Sequence, residues 1–439
     1  MGSPSQRTRA LSTIGPLLVL AACGNAPTGP SPDGPPPSLR ADPPETLPLA
    51  GGGGAIEFAG LGANAAVGAG GAVASWGQIS STGASARLYV STRMASGWSM
   101  PEHIGEIALP AGTERGPLVA IDPSGVVRVA WLSGAFGGEH STPHVATRRP
   151  RGDWETTLLS RDYARRLQLC VTGTSAFAAW YTSFGWGPEP GVFMAEDHGS
   201  GWGVQRITAD GDHPALASSG DGRVLFAWEE MRRLRAAVRD PGGTWSARRE
   251  LPQSAVGGSR FDLAVAWDTG GEPLVSWSDG RRAFLSRSAG DGWSLPEVRG
   301  DDGQTLVNVQ IAAGAPSAPL RAWNRGERLI EAVRGAGAIE SVASGTGLRH
   351  LLADRAGNAL VCWVRWVGPL LEGRESWCSY AAAGRQWGEP ARWGDTSAGP
   401  TVVLAATRLS DDSYLVLFRE ARQGGLPVLW SQRIRLWGG

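Results

Sequence analysis

One unit recurs along this 439-residue chain, and it limits the folds open to the chain more than any other feature. The unit is an apolar run, a turn rich in Asp or Gly, and a second apolar run ending in a small residue and Trp. A variable loop, another apolar run and a Gly-Trp or Gly-x-Trp pair then complete it. Val119–Trp131 reads VAIDPSGVVRVAW, Leu263–Trp277 reads LAVAWDTGGEPLVSW and Leu351–Trp363 reads LLADRAGNALVCW. The first anchor falls at Trp76, Trp131, Trp180, Trp228, Trp277, Trp323 and Trp363, with Phe418 in the eighth place. The spacings are 55, 49, 48, 49, 46, 40 and 55 residues. The second anchor falls at Trp98, Trp154, Trp202, Trp245, Trp293 and Trp387, with Trp437 closing the series and Ala338 standing in the sixth unit.

Short Val-, Leu-, Ala-, Phe- and Trp-rich runs split by Gly, Pro and Asp read as strands and turns; no helix-length period interrupts them. Four short strands in about 40–50 residues make one propeller blade. The sequence therefore predicts an all-β, eight-bladed β-propeller, with seven blades as the alternative because the 40-residue gap before Trp363 is short. Gly70, Gly125, Gly222, Gly271 and Gly357 each stand six residues before an anchor, where a hairpin turn needs positive φ. The last unit lacks a fourth strand, which Ala55-Ile56-Glu57-Phe58-Ala59 is expected to supply, removing the exposed edges. Fourteen of the 20 Trp are repeat anchors, so packing between blades is their expected role.

Composition excludes several classes. The 41 basic residues, all Arg, balance 41 acidic ones, which argues against a nucleic-acid binder working by bulk charge. The 63 Gly and 30 Pro argue against a mainly helical protein, and 42% hydrophobic residues suffice for a core.

The N-terminus gives an address. Arg7 and Arg9 precede a mostly apolar stretch, Ala10–Ala22, too short to span a bilayer. This is the layout of a secretory signal. Its end, Leu20-Ala21-Ala22-Cys23, resembles the lipobox of bacterial lipoproteins. The resemblance implies a signal peptide over residues 1–22, lipidation at Cys23, and a membrane-anchored protein in the periplasm or at the cell surface. Nine of the prolines fall within residues 24–50, so residues 23–54 are expected to form the lipidated Cys and a Pro/Gly-rich tether, and residues 55–439 the propeller.

The body resembles sialidase-like and other bacterial propeller lipoproteins at the level of architecture. Ser288-Ala289-Gly290-Asp291-Gly292-Trp293 stands where sialidases carry their Asp-box, but with Gly292 directly before Trp293, and no Arg-Ile-Pro occurs near the first blade. The catalytic residues of sialidases therefore cannot be carried over to this chain. Ala120-x-Asp122-x-x-Gly125 resembles the repeat of quinone-dependent dehydrogenase propellers, without that family's adjacent cysteines. A lipoprotein propeller also resembles the scaffold of the outer-membrane protein assembly machine.

Candidate ligand-binding residues follow from where blade-entry loops are basic: Arg115, Arg166 beside Arg165, His213, Arg260, and Arg349 beside His350. Arg presents a bidentate fork to carboxylate or sulfate, while Glu114, Asp162 and Asp212 offer local pairing instead. Trp186 and Trp366 lie outside the repeat anchors, in the loops 181–190 and 364–375, and are candidates for stacking on a sugar or anchoring a partner. The charged runs Glu229–Arg233 and Ser278–Arg282 read as solvated rim. His140 and His144 are four apart, but Pro143 between them rules out a shared helical face, so no metal site is expected there. Asp210-Gly211-Asp212 and Asp301-Asp302 supply oxygen donors of the kind calcium takes, outside the EF-hand pattern; no other cofactor is implied. Cys362 and Cys378 flank the loop of the seventh unit, on strands expected to be neighbours, and form the candidate disulfide. There is no nucleophile elbow and no phosphate loop. The expected role is a binding or scaffolding module that presents a face to a protein or glycan. The alternative is an exported sialidase-like glycan-processing enzyme.

Overall fold

In a computed structural model, residues 38–437 are described except for 49–62, 69–70, 80–84, 109–116, 135–140, 184–188, 255–261, 291, 301–302, 314–318, 327–328, 355, 368–372, 393–400, 410–412 and 421–427. The strands form eight antiparallel sheets of four or five strands. Blade 3 shows the plan. Arg165–Thr172, Ser175–Thr182, Gly191–Asp197 and Trp202–Thr208 pair in chain order from the centre outward. The innermost strands start at Ala63, Leu118, Arg165, Gly211, Asp262, Leu306, Thr346 and Thr401, and each neighbours the next in a closed circle. The protein is an eight-bladed β-propeller, and the short spacing before Trp363 is still a full blade.

The hairpin between the two inner strands has a recurring cause. In blade 2 the Asp122 carboxylate accepts hydrogen bonds from the amides of Ser124 and Val126, and the Gly125 amide closes the turn on the Asp122 carbonyl at 2.9 Å. Gly125 has φ 87°, a conformation that favours glycine. Asp268 and Asp354 organise the same turn in blades 5 and 7, with Gly271 and Gly357.

The core is distributed between blades, not gathered at one centre. Trp131 packs with Val90, Ile104 and Ile107 of blade 1; Trp180 with Leu118 and Val145 of blade 2; Trp228 with Phe177 and Met194 of blade 3. Trp76, Trp180, Trp228, Trp277, Trp323 and Trp363 are among the largest fully buried side chains. The second anchors sit farther out and latch to the preceding blade: Trp154 donates its indole N–H to Glu102, and Trp245 to Glu196, each at 2.9 Å. Blades 2 and 3 are also joined by a buried ion triad in which Arg128 bridges Asp122 and Asp197 at 3.0 and 3.1 Å.

Ring closure departs from the sequence reading. Ser38–Ala41 pairs with Val428–Trp437, matching Ser38 to Trp437 and Ala41 to Ile434, and Glu45–Thr46 continues along the same strand. Leu47 is fully buried among Ala63, Trp76, Leu417 and Leu429. The fourth strand of blade 8 thus comes from residues assigned to the tether, because Glu45 and Leu47 find partners only in the assembled ring: Arg93 binds Glu45 at 3.0 Å. Ala55–Ala59 lies outside the described residues, as do Cys23 and the signal segment.

Cys362 and Cys378 face each other in register across Ala359–Val367 and Gly373–Ala381 and form a disulfide. Cys170 is a buried free thiol, held neutral by its apolar surroundings, which push its pKa up.

Candidate functional site

The inner strands of blades 3, 4 and 6 begin with the same irregularity. Register shifts occur between Arg165 and Gln168, between Asp212 and Ala215, and between Val307 and Gln310. Each bulge puts a non-glycine residue in the left-handed region: Arg166 at φ 51°, His213 at 52° and Asn308 at 57°. Bulges re-aim side chains and concentrate at functional rims. Here they turn one polar residue per blade into the same end of the ring. The residue after the first anchor faces each bulge, pairing Tyr181 with Arg165 and Glu229 with Asp212.

Blades 3–5 bring together Tyr163, Arg165, Arg166, Tyr181, Asp212, His213, Glu229 and Asp262. Arg165 donates Nε–H to the Tyr163 hydroxyl at 2.8 Å and lies over that ring. The His213 imidazole stacks on Tyr181, with centroids 6.0 Å apart and planes at 11°. His213 Nδ1 contacts the Asp212 carboxylate and lies 3.5 Å from Glu229 Oε2. Burial opposes ionisation of Asp212, but the His213 contact outweighs it and holds the carboxyl below its usual range. Asp262 goes the other way. It is buried, and desolvation raises its pKa although Arg166 and the Asn308 amide favour the anion. That amide donates to Asp262 Oδ2 at 2.6 Å, Asn308 Nδ2 donates to Asn324 Oδ1 at 3.1 Å, and the Leu348 amide donates to the same oxygen at 2.8 Å. A polar chain therefore runs from blade 5 to blade 7. Burial likewise raises the Tyr181 phenol.

Arg166 is within electrostatic reach of Tyr181, Asp212 and Asp262. Among the described residues it has no hydrogen-bonded or ion-paired acid.

Of the residues singled out from sequence, Arg166 and His213 occupy equivalent bulge positions in neighbouring blades. His213 does pair with Asp212, and Arg165 hydrogen-bonds Tyr163. Arg349 belongs to blade 7, where its carbonyl accepts from Gln310 Nε2; His350 is buried and its pKa is pushed down to about 3 by desolvation and then by Arg349. Trp366 lies on the strand Ala359–Val367, registered with Arg374, so that part of the expected loop is strand. Arg115, Arg260 and Trp186 lie outside the described residues. His144 sits on a strand, stacks on Trp131 at 5.4 Å and hydrogen-bonds Thr142, a packing role within blade 2. Sequence reasoning missed Tyr163, Tyr181 and Asp262 and read Glu229 as rim. The signal was the position directly after each first anchor, where Tyr181, Glu229 and Asn324 interrupt an otherwise apolar strand.

These features define an all-β propeller with a polar rim cluster on blades 3–6. No protein-family model and no curated protein matches the chain. Among solved structures it is similar to the propeller of Dos1, at 7% identity with a TM-score of 0.51, covering 88% of this chain and 94% of that one. It is also similar to an ulvan lyase of a polysaccharide lyase family bound to -[GlcA(1-4)Rha3S]-, at 11% identity and a TM-score of 0.45, covering 81% of this chain and 96% of that one. A prolyl endopeptidase matches at 14% identity and a TM-score of 0.47 over 83% of this chain; the chain spans 55% of that protein's length. At these identities the likeness speaks for the fold alone.

Proposed function

We propose that this protein is an exported, membrane-tethered propeller that binds an acidic glycan at the rim of blades 3–5. The observation that carries the reading is Arg166: a guanidinium fixed in a left-handed bulge beside Tyr181, with no acid bonded to it among the described residues. A uronate or sulfate supplies the bidentate partner that such a group lacks. Arg166→Ala is expected to weaken binding of a uronate- or sulfate-bearing oligosaccharide about 10- to 100-fold, the range for losing a charge-assisted hydrogen bond. Isothermal titration against neutral and acidic oligosaccharides checks this. Unchanged affinity in the variant, or no preference for the acidic ligand, rejects the reading.

The second reading is a sialidase-like glycan-processing enzyme. It is favoured by two carboxyls driven in opposite directions within one cluster, Asp262 up and Asp212 down. New reducing ends from the retained glycan would separate it from simple binding.

The tether reading rests on the Leu20–Cys23 motif. In a bacterial host, Cys23→Ser is expected to abolish incorporation of labelled fatty acid and to move the protein from the membrane to the soluble fraction. Equal labelling of the variant would overturn it.

A further inference from the structure

We infer that Asp212, His213 and Glu229 form a divalent-cation site of the zinc type. One ligand atom from each of the three residues lies within 4.8 Å of the others. Two carboxylate oxygens and one imidazole nitrogen suit zinc, which takes nitrogen and oxygen donors at about 2.0–2.2 Å; calcium and magnesium prefer oxygen alone.

The local structure builds this group. Asp212 and Glu229 are directly opposite on Gly211–Ser218 and Val224–Glu230, which brings a ligand oxygen of each within 4.8 Å of the other. The strands approach closely here because residue 211 is glycine: a Cβ on Gly211 would meet the Glu229 carbonyl oxygen at 2.4 Å. The bulge turns His213 back toward both acids, and the Tyr181 ring fixes its plane. Among the described residues neither Asp212 nor Glu229 is paired with an arginine, whereas Glu230, the next residue, binds Arg235 at 3.2 Å. The three side chains are 16–36% exposed, so an ion has a path in from solvent and keeps open coordination positions. Three protein ligands with an open position is the arrangement in which zinc takes a water or an anionic group as the fourth ligand.

This site concerns a different ligand from the glycan reading and is tested without any glycan. The full chain, stripped with chelator, is titrated with Zn²⁺ calorimetrically and with Co²⁺ by visible absorption. Wild type is expected to take up one ion. His213→Gln and Glu229→Gln are each expected to weaken binding at least about tenfold and to remove the d–d bands of the cobalt form, with near-UV circular dichroism confirming the fold. Gly211→Ala, which leaves all three ligands in place, is expected to weaken binding by displacing Asp212 from Glu229. Absence of stoichiometric binding to wild type overturns the inference, leaving His213 as a contact partner of the two acids. Equal affinity in His213→Gln and Glu229→Gln also overturns it, since the ion then sits elsewhere.

Discussion

Replacing Trp228 by Ala is expected to lower the free energy of unfolding by about 3–5 kcal/mol, the usual cost of deleting a buried Trp or Phe side chain. Trp228 is fully buried between blades 3 and 4. Its ring stacks on Phe226 with centroids 4.8 Å apart, and the Arg248 guanidinium lies over the Trp228 ring at 5.8 Å from its centroid. The side chains around it belong to two different sheets whose backbones are each fixed by four-strand pairing, so collapse into the vacated volume is restricted. Trp202→Ala, at a partly buried second anchor, is expected to cost clearly less. Urea unfolding of both variants and wild type checks the pair, with equal m-values required for the comparison. A loss below about 1 kcal/mol at Trp228 would show that inter-blade packing does not rest on these anchors.

Leu47→Ala is expected to destabilise the protein by about 2–5 kcal/mol, although residue 47 lies in a proline-rich stretch of tether composition. Leu47 has no exposed surface, its amide donates to the Leu429 carbonyl at 2.9 Å, and it packs against Trp76 of blade 1 and Leu417 of blade 8. It therefore seals the joint at which the ring closes. Loss of Leu47 weakens the hold of Ser38–Ala41 on Val428–Trp437, whose edge then becomes a template for pairing with other chains. Unfolding midpoints and light scattering on Leu47→Ala, with Leu39→Ala as the comparison within the paired strand, check the prediction. An unchanged midpoint for Leu47→Ala would return residues 38–47 to the tether.

The two predictions mark a difference in what could be read. The anchor tryptophans were legible because a blade is a local object. Four strands joined by short turns bury one face against the next copy, so the repeat writes itself into the sequence at intervals of 40–55 residues. The closing strand was not legible, since its partner is nearly 400 positions away: Gln432 Nε2 donates to the Asp42 carbonyl across 390 residues. No local pattern distinguishes Ser38–Thr46 from linker, and the prolines around it argue for linker.

The rim cluster falls between these cases. Arg166 and His213 were visible as basic residues at blade entries, because polar residues interrupt apolar strands there. Their relation to each other was not visible. It depends on bulges that shift register in three blades and on the burial of Asp262, which only the ring imposes.

By itself, then, the sequence determined the strand-and-turn unit, its eightfold repetition and the tryptophans that join the copies, since each follows from short-range hydrophobic spacing. The tertiary structure decided how the ring closes, that Asp212, His213 and Glu229 meet, and that Arg166 comes within electrostatic reach of Asp212 and Asp262 without a bonded acid among the described residues. Those contacts join residues from different strands and blades, and only the closed ring brings them within reach.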